Sequence, residues 1–234
     1  MNSSFRCDPP PFFGVTPPFR YSGAESSREV IYREGFSCIE TLSEARRYLP
    51  GSIARWLWSQ LFTSLPRPAK SFKGQTVIIT GANQGLSRNI DLCSYSTVEV
   101  FAELATRELE RVDVLLENAG INGFEWGWSD DNERNLTVNV VSTFLLAFLV
   151  LPQMKETATR FSTQPRLTAV TSDTHYFINF EEKDAPEGTF NHMNKKDTFS
   201  SSGRYPTSKL IEVFVIREMT ARRQQEGPPS HIQF

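Results

Sequence analysis

The chain has 234 residues, 39% of them hydrophobic, and a formal net charge of −2. That length supports one domain with a real core plus an appendage, and the near-balance of charge, without a basic stripe, excludes a nucleic-acid partner. Cys7, Cys38 and Cys93 are scattered and odd in number, which points to a reducing, cytoplasmic setting without a disulfide framework, while His175, His192 and His231 match no metal-ligand spacing.

Residues 1–71 read as an N-terminal extension. Met1 to Phe19 is polar and proline-rich, unlike a signal peptide, and Pro9-Pro10-Pro11 and Pro17-Pro18 predict poor order to about residue 48. A helix is expected over 52–63. The amphipathic stretch 53–65, with Trp56, Trp58, Leu61 and Phe62, suits packing on the main domain or a peripheral membrane contact. Pro66 and Pro68 make a stiff linker.

The domain proper is expected over 72–234. Gln75 to Thr80 is a short, mostly β-branched run bounded by glycines, the pattern of a buried parallel strand. Gly81-Ala82-Asn83-Gln84-Gly85-Leu86 follows as a glycine-punctuated turn. Ser96 to Leu109 predicts a helix with Val100, Phe101, Leu104 and Ala105 on one side. Val112 to Leu116 predicts a second buried strand, ending in Glu117-Asn118-Ala119-Gly120. Asp130 to Thr157 predicts a long helix, with Asp130 and Asp131 suited to its positive N-terminus. Within it, Val138 to Leu151 is too short and too well explained as a buried helix to read as a membrane span. Arg166 to Thr171 predicts a third strand, Pro206 to about Gln224 a further helix, and His231 to Phe234 the start of a fourth strand.

Strands alternating with helices imply parallel β-α-β units covered on both faces, with ligands beyond the carboxyl ends of the strands. Gly81 to Leu86, Asn118 to Gly120, and Ser172 all fall at such ends. Tyr205 and Lys209 are four residues apart, so on a helix they share a face and the ammonium can lie beside the phenol. A free tyrosine has a pKa of about 10, and a nearby cation favours its ionised form. With Ser172 to hold a substrate oxygen, the trio can move a proton to or from an alcohol or carbonyl.

Five motifs in this order resemble those of the short-chain dehydrogenase/reductase family over residues 72–234: Thr80-Gly81-Ala82-Asn83-Gln84-Gly85-Leu86-Ser87, Glu117-Asn118-Ala119-Gly120, Asn139, Ser172, and Tyr205 with Lys209. The wording around them is similar to the retinol-dehydrogenase-like branch, whose fungal relatives serve secondary-metabolite pathways. The resemblance implies an α/β fold, a Rossmann-like doubly wound parallel sheet reduced in strand number. It implies an oxidoreductase using NADP or NAD to interconvert an alcohol and a carbonyl on a hydrophobic small molecule. Gly81, Gly85 and Leu86 would border the cofactor pyrophosphate, and Asp91 and Asn118 the adenosine half. Tyr205 would be the general acid/base, Lys209 would bind the nicotinamide ribose, Ser172 would orient the substrate oxygen, and Asn139 would hold a relay water. Tyr176, Phe177, Phe180, Phe190, Trp126 and Trp128 suit an apolar pocket or core packing equally. A homodimer through 131–157 and 206–224 is expected.

Ser87 replaces the third loop glycine, and the passage from Ile90 to Asp91 omits most of a helix, two strands and another helix of the family pattern. The family's last segments are also absent after Phe234. These departures predict an exposed first strand, uncovered sheet faces and weak nucleotide binding. They keep open an alternative, a catalytically impaired relative acting as a binding or interaction protein.

Overall fold

The computed structural model of the chain describes residues 71–82 and 90–225. The extension with its 52–63 helix, the loop residues Gly85, Leu86 and Ser87, and the 231–234 stub lie outside the described residues.

Three parallel strands form the main sheet in the order β1 (Val77–Ile79), β2 (Val114–Glu117), β5 (Arg166–Ala169). Helix α1 (Tyr95–Glu108) connects the first two, and α2 (Arg134–Phe161) connects β2 to β5 after a two-stranded hairpin, β3 (Trp128–Ser129) and β4 (Asn132–Glu133). Beyond β5 come a 3-10 turn at Asp173–Phe177, a short helix α3 (Thr189–Met193), and α4 (Arg204–Gln225). The chain is therefore an α/β protein with a reduced, Rossmann-like parallel sheet.

The register aligns Ile78, Leu115 and Leu167 in one row, and all three are buried. Val98, Phe101 and Ala105 of α1 join them, with Leu136, Leu146, Val150 and Met154 of α2. Full burial of each large apolar side chain contributes about 1.5–3 kcal/mol. The alternate row tells a different story: Val77, Ile79, Val114 and Leu116 are only half-buried. Coverage on both faces was expected from the β-branched runs, and only one face attains it. This matches the expectation of uncovered sheet surface where family segments are missing.

The most apolar window of α2 is long enough to cross a membrane, yet 67% of it is buried inside the fold. The helix begins at Arg134, not Asp130. Asp130 and Asp131 make the turn of the β3–β4 hairpin, with Asp130 at φ 46, and the Asp130 carboxylate accepts the backbone N–H of Tyr95 at the head of α1. The aspartate thus caps a neighbouring helix instead of its own. Glu133 caps α2, accepting the N–H of Leu136 at 3.2 Å. Asn135, in the second position of α2, is fully buried and bonded to Gly123 and Glu133. Cys93 is disulfide-bonded, which departs from the expectation of no disulfide framework.

Candidate active site

The carboxyl ends of β1 and β2 are tied by Thr80. Its buried hydroxyl oxygen accepts the N–H groups of Asn118 and Ala119, each at 2.9 Å, while Asn118 Nδ2 donates to the Thr80 carbonyl at 3.3 Å. Gly81 follows at φ 76, and a Cβ there would stand 3.2 Å from Ala119 Cα. Only glycine combines that backbone angle with so close a neighbour. Gly81, Asn118 and Gly120 are exposed, which leaves the rim above these strands open.

The third strand end meets α4. Thr171 donates its hydroxyl proton to the Lys209 carbonyl at 3.0 Å, and Lys209 Nζ donates back to the Val170 carbonyl at 3.0 Å. The ammonium is almost fully buried and also bonds Glu212 Oε1 at 2.7 Å. It stands 5.8 Å from the centroid of the Tyr205 ring, so the i, i+4 spacing does bring phenol and amine to one side of the helix. Ser172 begins the 3-10 turn after this strand end. Its Oγ accepts from Thr174 N at 3.3 Å and Thr174 Oγ1 at 3.0 Å, and its own donor contact to Asp173 is long, at 3.5 Å.

Asn139 lies within a π-helical turn of α2, Thr137–Ser142, and is completely buried. Such widened turns recur at functional sites. Asn139 Oδ1 accepts the Ile121 N–H at 2.8 Å, and its Nδ2 donates to the Ile121 carbonyl and to Ser208 Oγ, at 2.9 and 2.8 Å. Ser208 in turn donates to the Tyr205 carbonyl at 2.8 Å. The asparagine therefore fixes the loop after β2 to the very turn of α4 that carries the tyrosine. A Cβ on Gly120 would lie 3.1 Å from Lys209 Nζ and 3.2 Å from Asn139 Oδ1.

Asn118, Asn139, Ser172, Tyr205 and Lys209 are thus gathered at one end of the sheet with Gly81. Asp91 is engaged at the start of α1: its Oδ1 accepts the Cys93 N–H at 2.9 Å, and its carbonyl accepts the Ser94 N–H.

Two carboxyls beside the site were not singled out in the sequence. Burial pushes Glu117 up to about 8; the Thr80 hydroxyl pulls the other way, and the charge of Glu212 pushes further up. Neither Glu117 oxygen has a partner in hydrogen-bond geometry. Burial also pushes Glu212 up to about 7, against the pull of Lys209. Glu212 was findable from its i+3 spacing to Lys209, and Glu117 as a charge closing an apolar strand. Ser208 and Thr80 carry no comparable signal.

The family model for short chain dehydrogenase matches residues 86–160. The chain is 36% identical over 212 residues to the short chain dehydrogenase/reductase dmxR8 of Cryptosporiopsis sp., covering 70% of this chain and 65% of that relative. It is 32% identical over 224 residues to the short-chain dehydrogenase anuD of Penicillium roqueforti, covering 76% and 58%. The chain thus spans less than two thirds of the length of either relative. The 212 aligned positions exceed the 70% of this chain that they cover, so the first relative carries residues inside the matched region that are missing here. A solved structure of an uncharacterized protein from Mycobacterium paratuberculosis matches with a TM-score of 0.52 at 24% identity, covering 69% of this chain and 66% of that one. On these matches and this fold, the chain is similar to members of the short-chain dehydrogenase/reductase family.

Proposed function

We propose that the chain interconverts an alcohol and a carbonyl on a hydrophobic small molecule, in the cytoplasm and within a secondary-metabolite pathway, using NADP, with NAD as the alternative carrier. The observation that carries this reading is the buried Lys209 ammonium held at a strand end beside the Tyr205 ring. The bare backbone of Gly120 adjoins that ammonium, where any side chain would crowd it. That is the space a ribose and nicotinamide need, and the residues fit this end of the cofactor. Lys209 and Tyr205 would hold the ribose side, and Gly81 and Asn118 the rim toward the adenosine. The cofactor, when bound, supplies or takes the hydride. Tyr205 gives or takes the proton at the substrate oxygen, with Lys209 placing positive charge beside it. Ser172 accepts from Thr174 and makes only the long donor contact to Asp173, which its O–H would exchange for the substrate oxygen. Both polar atoms of the Asn139 side chain are engaged, so its part is to fix Tyr205 and the loop after β2.

Phe124, Trp128, Tyr176, Phe177 and Phe190 are exposed and favour an apolar substrate. Phe180, by contrast, packs on Phe214, and Trp126 on Phe199. Exposed Phe148, Leu149 and Phe214 support a homodimer through α2 and α4. The half-covered sheet face favours the second reading, an impaired relative that binds partners without turnover. Substrate-dependent NADPH oxidation over a panel of aromatic and aliphatic carbonyls separates the two. Turnover that falls at least a hundredfold in Tyr205→Phe supports the enzyme with Tyr205 as its acid/base; turnover unchanged in that variant contradicts that role, and absence of turnover supports the impaired relative.

A further inference from the structure

A lysine ammonium has three N–H donors, and Lys209 has two of them committed. One goes to the Val170 carbonyl at 3.0 Å and one to Glu212 Oε1 at 2.7 Å. One donor is left, with the backbone of Gly120 beside the ammonium. Lys209 and Glu212 are 3% and 2% exposed, so they form a buried ion pair, spaced i, i+3 on α4. Among the described residues Lys209 ion-pairs with Glu212 alone, and the second Glu212 oxygen, also buried, has no hydrogen-bond partner. Each charge therefore depends on the other, because a buried charge that loses its partner is strongly destabilised.

Tyr205, Lys209 and Glu212 stand at i, i+4 and i+7, two turns along one face of the helix. The ammonium lies 5.8 Å from the centroid of the tyrosine ring. Glu212 follows Tyr205 by about 10 Å along the helix axis. In an interior of low dielectric, a carboxylate at that range opposes much of the field of the ammonium. We propose that Glu212 is a positioning residue: it holds Lys209 against the strand end and screens its charge from Tyr205, so that the pair, not the lysine alone, sets the acid strength of the phenol. At the alkaline pH where a phenol titrates, Glu212 is ionised, since burial raises it only to about 7. The other charged or titratable groups on the elements packed here are Glu117 at the end of β2, Asp173 and His175 in the 3-10 turn after β5, and Arg204 with Glu133 where α4 begins. Asn139 of α2 and Thr80 after β1 are neutral. The catalytic part of this inference rests on the oxidoreductase reading.

The test is a pH titration of the full chain by 13C NMR of ring-labelled tyrosine, with Tyr205 identified as the signal missing from Tyr205→Phe. Glu212→Gln keeps the polar contact and removes the charge, and its Tyr205 midpoint is expected about 1 pH unit below that of the parent chain. Glu212→Asp keeps the charge and is expected to stay within about half a unit of the parent. An unmoved midpoint in Glu212→Gln, or an equal fall in Glu212→Asp, overturns the screening. Should Glu212→Gln not fold, the double variant Lys209→Met, Glu212→Leu decides, because apolar replacement of both members of a buried pair is tolerated. There a midpoint raised by less than about 1.5 units supports the screening, and a larger rise, the mark of an unscreened ammonium, overturns it. In parallel, the alkaline limb of the pH profile of NADPH-dependent carbonyl reduction is expected to move down in Glu212→Gln by the same amount as the midpoint. A limb that stays while the midpoint moves overturns the catalytic part. Absence of turnover in the parent chain overturns the oxidoreductase reading and the catalytic part with it, while the tyrosine titration still decides the screening.

Discussion

At the scale of single residues, the site depends on what Gly120 lacks. A methyl group there meets Lys209 Nζ at 3.1 Å and Asn139 Oδ1 at 3.2 Å, closer than side-chain carbons normally stand. Asn139 is locked by three hydrogen bonds, so the lysine must give way. Gly120→Ala is expected to weaken NADPH binding about tenfold, while costing only about 1 kcal/mol in urea unfolding, since a small overpacking is shared by a flexible side chain. Equal NADPH binding in the two proteins would show that the ammonium does not face the cofactor. Tyr205 and Lys209 were legible because helical spacing alone places them together. Their restraints were not: Asn139 reaches Ile121 from eighteen positions away and Ser208 from sixty-nine. No local pattern encodes such distant bonds.

At the scale of elements, the three strands of the main sheet and helices α1, α2 and α4 were legible from periodicity, while their ends and the β3–β4 hairpin were not. Asp130 carries a helix-start signal, but a two-residue hairpin turn claims it and points its carboxylate at α1. The true cap of α2, Glu133, also faces the fully buried Arg204, whose Nε lies 3.8 Å from Glu133 Oε2. Burial lowers the guanidinium pKa, and Glu133 and Glu182 oppose that shift. Glu133 therefore joins the start of α2 to the start of α4, the helix that carries Tyr205. Glu133→Ala removes the cap and the countercharge together and is expected to cost about 3–5 kcal/mol in urea unfolding. Glu133→Gln keeps an acceptor for Leu136 and is expected to cost about 1–3 kcal/mol. Equal costs would show that the charge facing Arg204 contributes little.

At the scale of the whole molecule, the sheet order was legible from the alternation of strands and helices, while the half-covered face became visible only once the three strands were placed in register. Stability carries a pH signature from the two buried glutamates. Their folded pKa values, about 8 for Glu117 and about 7 for Glu212, lie above the ordinary 4.5, so the folded chain binds more protons than the unfolded chain in that window. Their contribution is complete below about 4.5 and is lost as pH rises toward 8, by an amount on the order of a few kcal/mol. Thermal unfolding is expected at a lower Tm at pH 8.5 than at pH 5.5, by roughly 5 °C or more, with a smaller difference in Glu117→Gln. An unchanged difference in that variant would exclude Glu117 as a source. The relation between a shortened fold and a retained site is tested most directly by equilibrium titration of NADPH into the chain and its Lys209→Met variant. Saturable binding with a Kd of roughly 10–1000 μM, lost in the variant, is the expected result. No saturable binding, or binding that ignores Lys209, would contradict it.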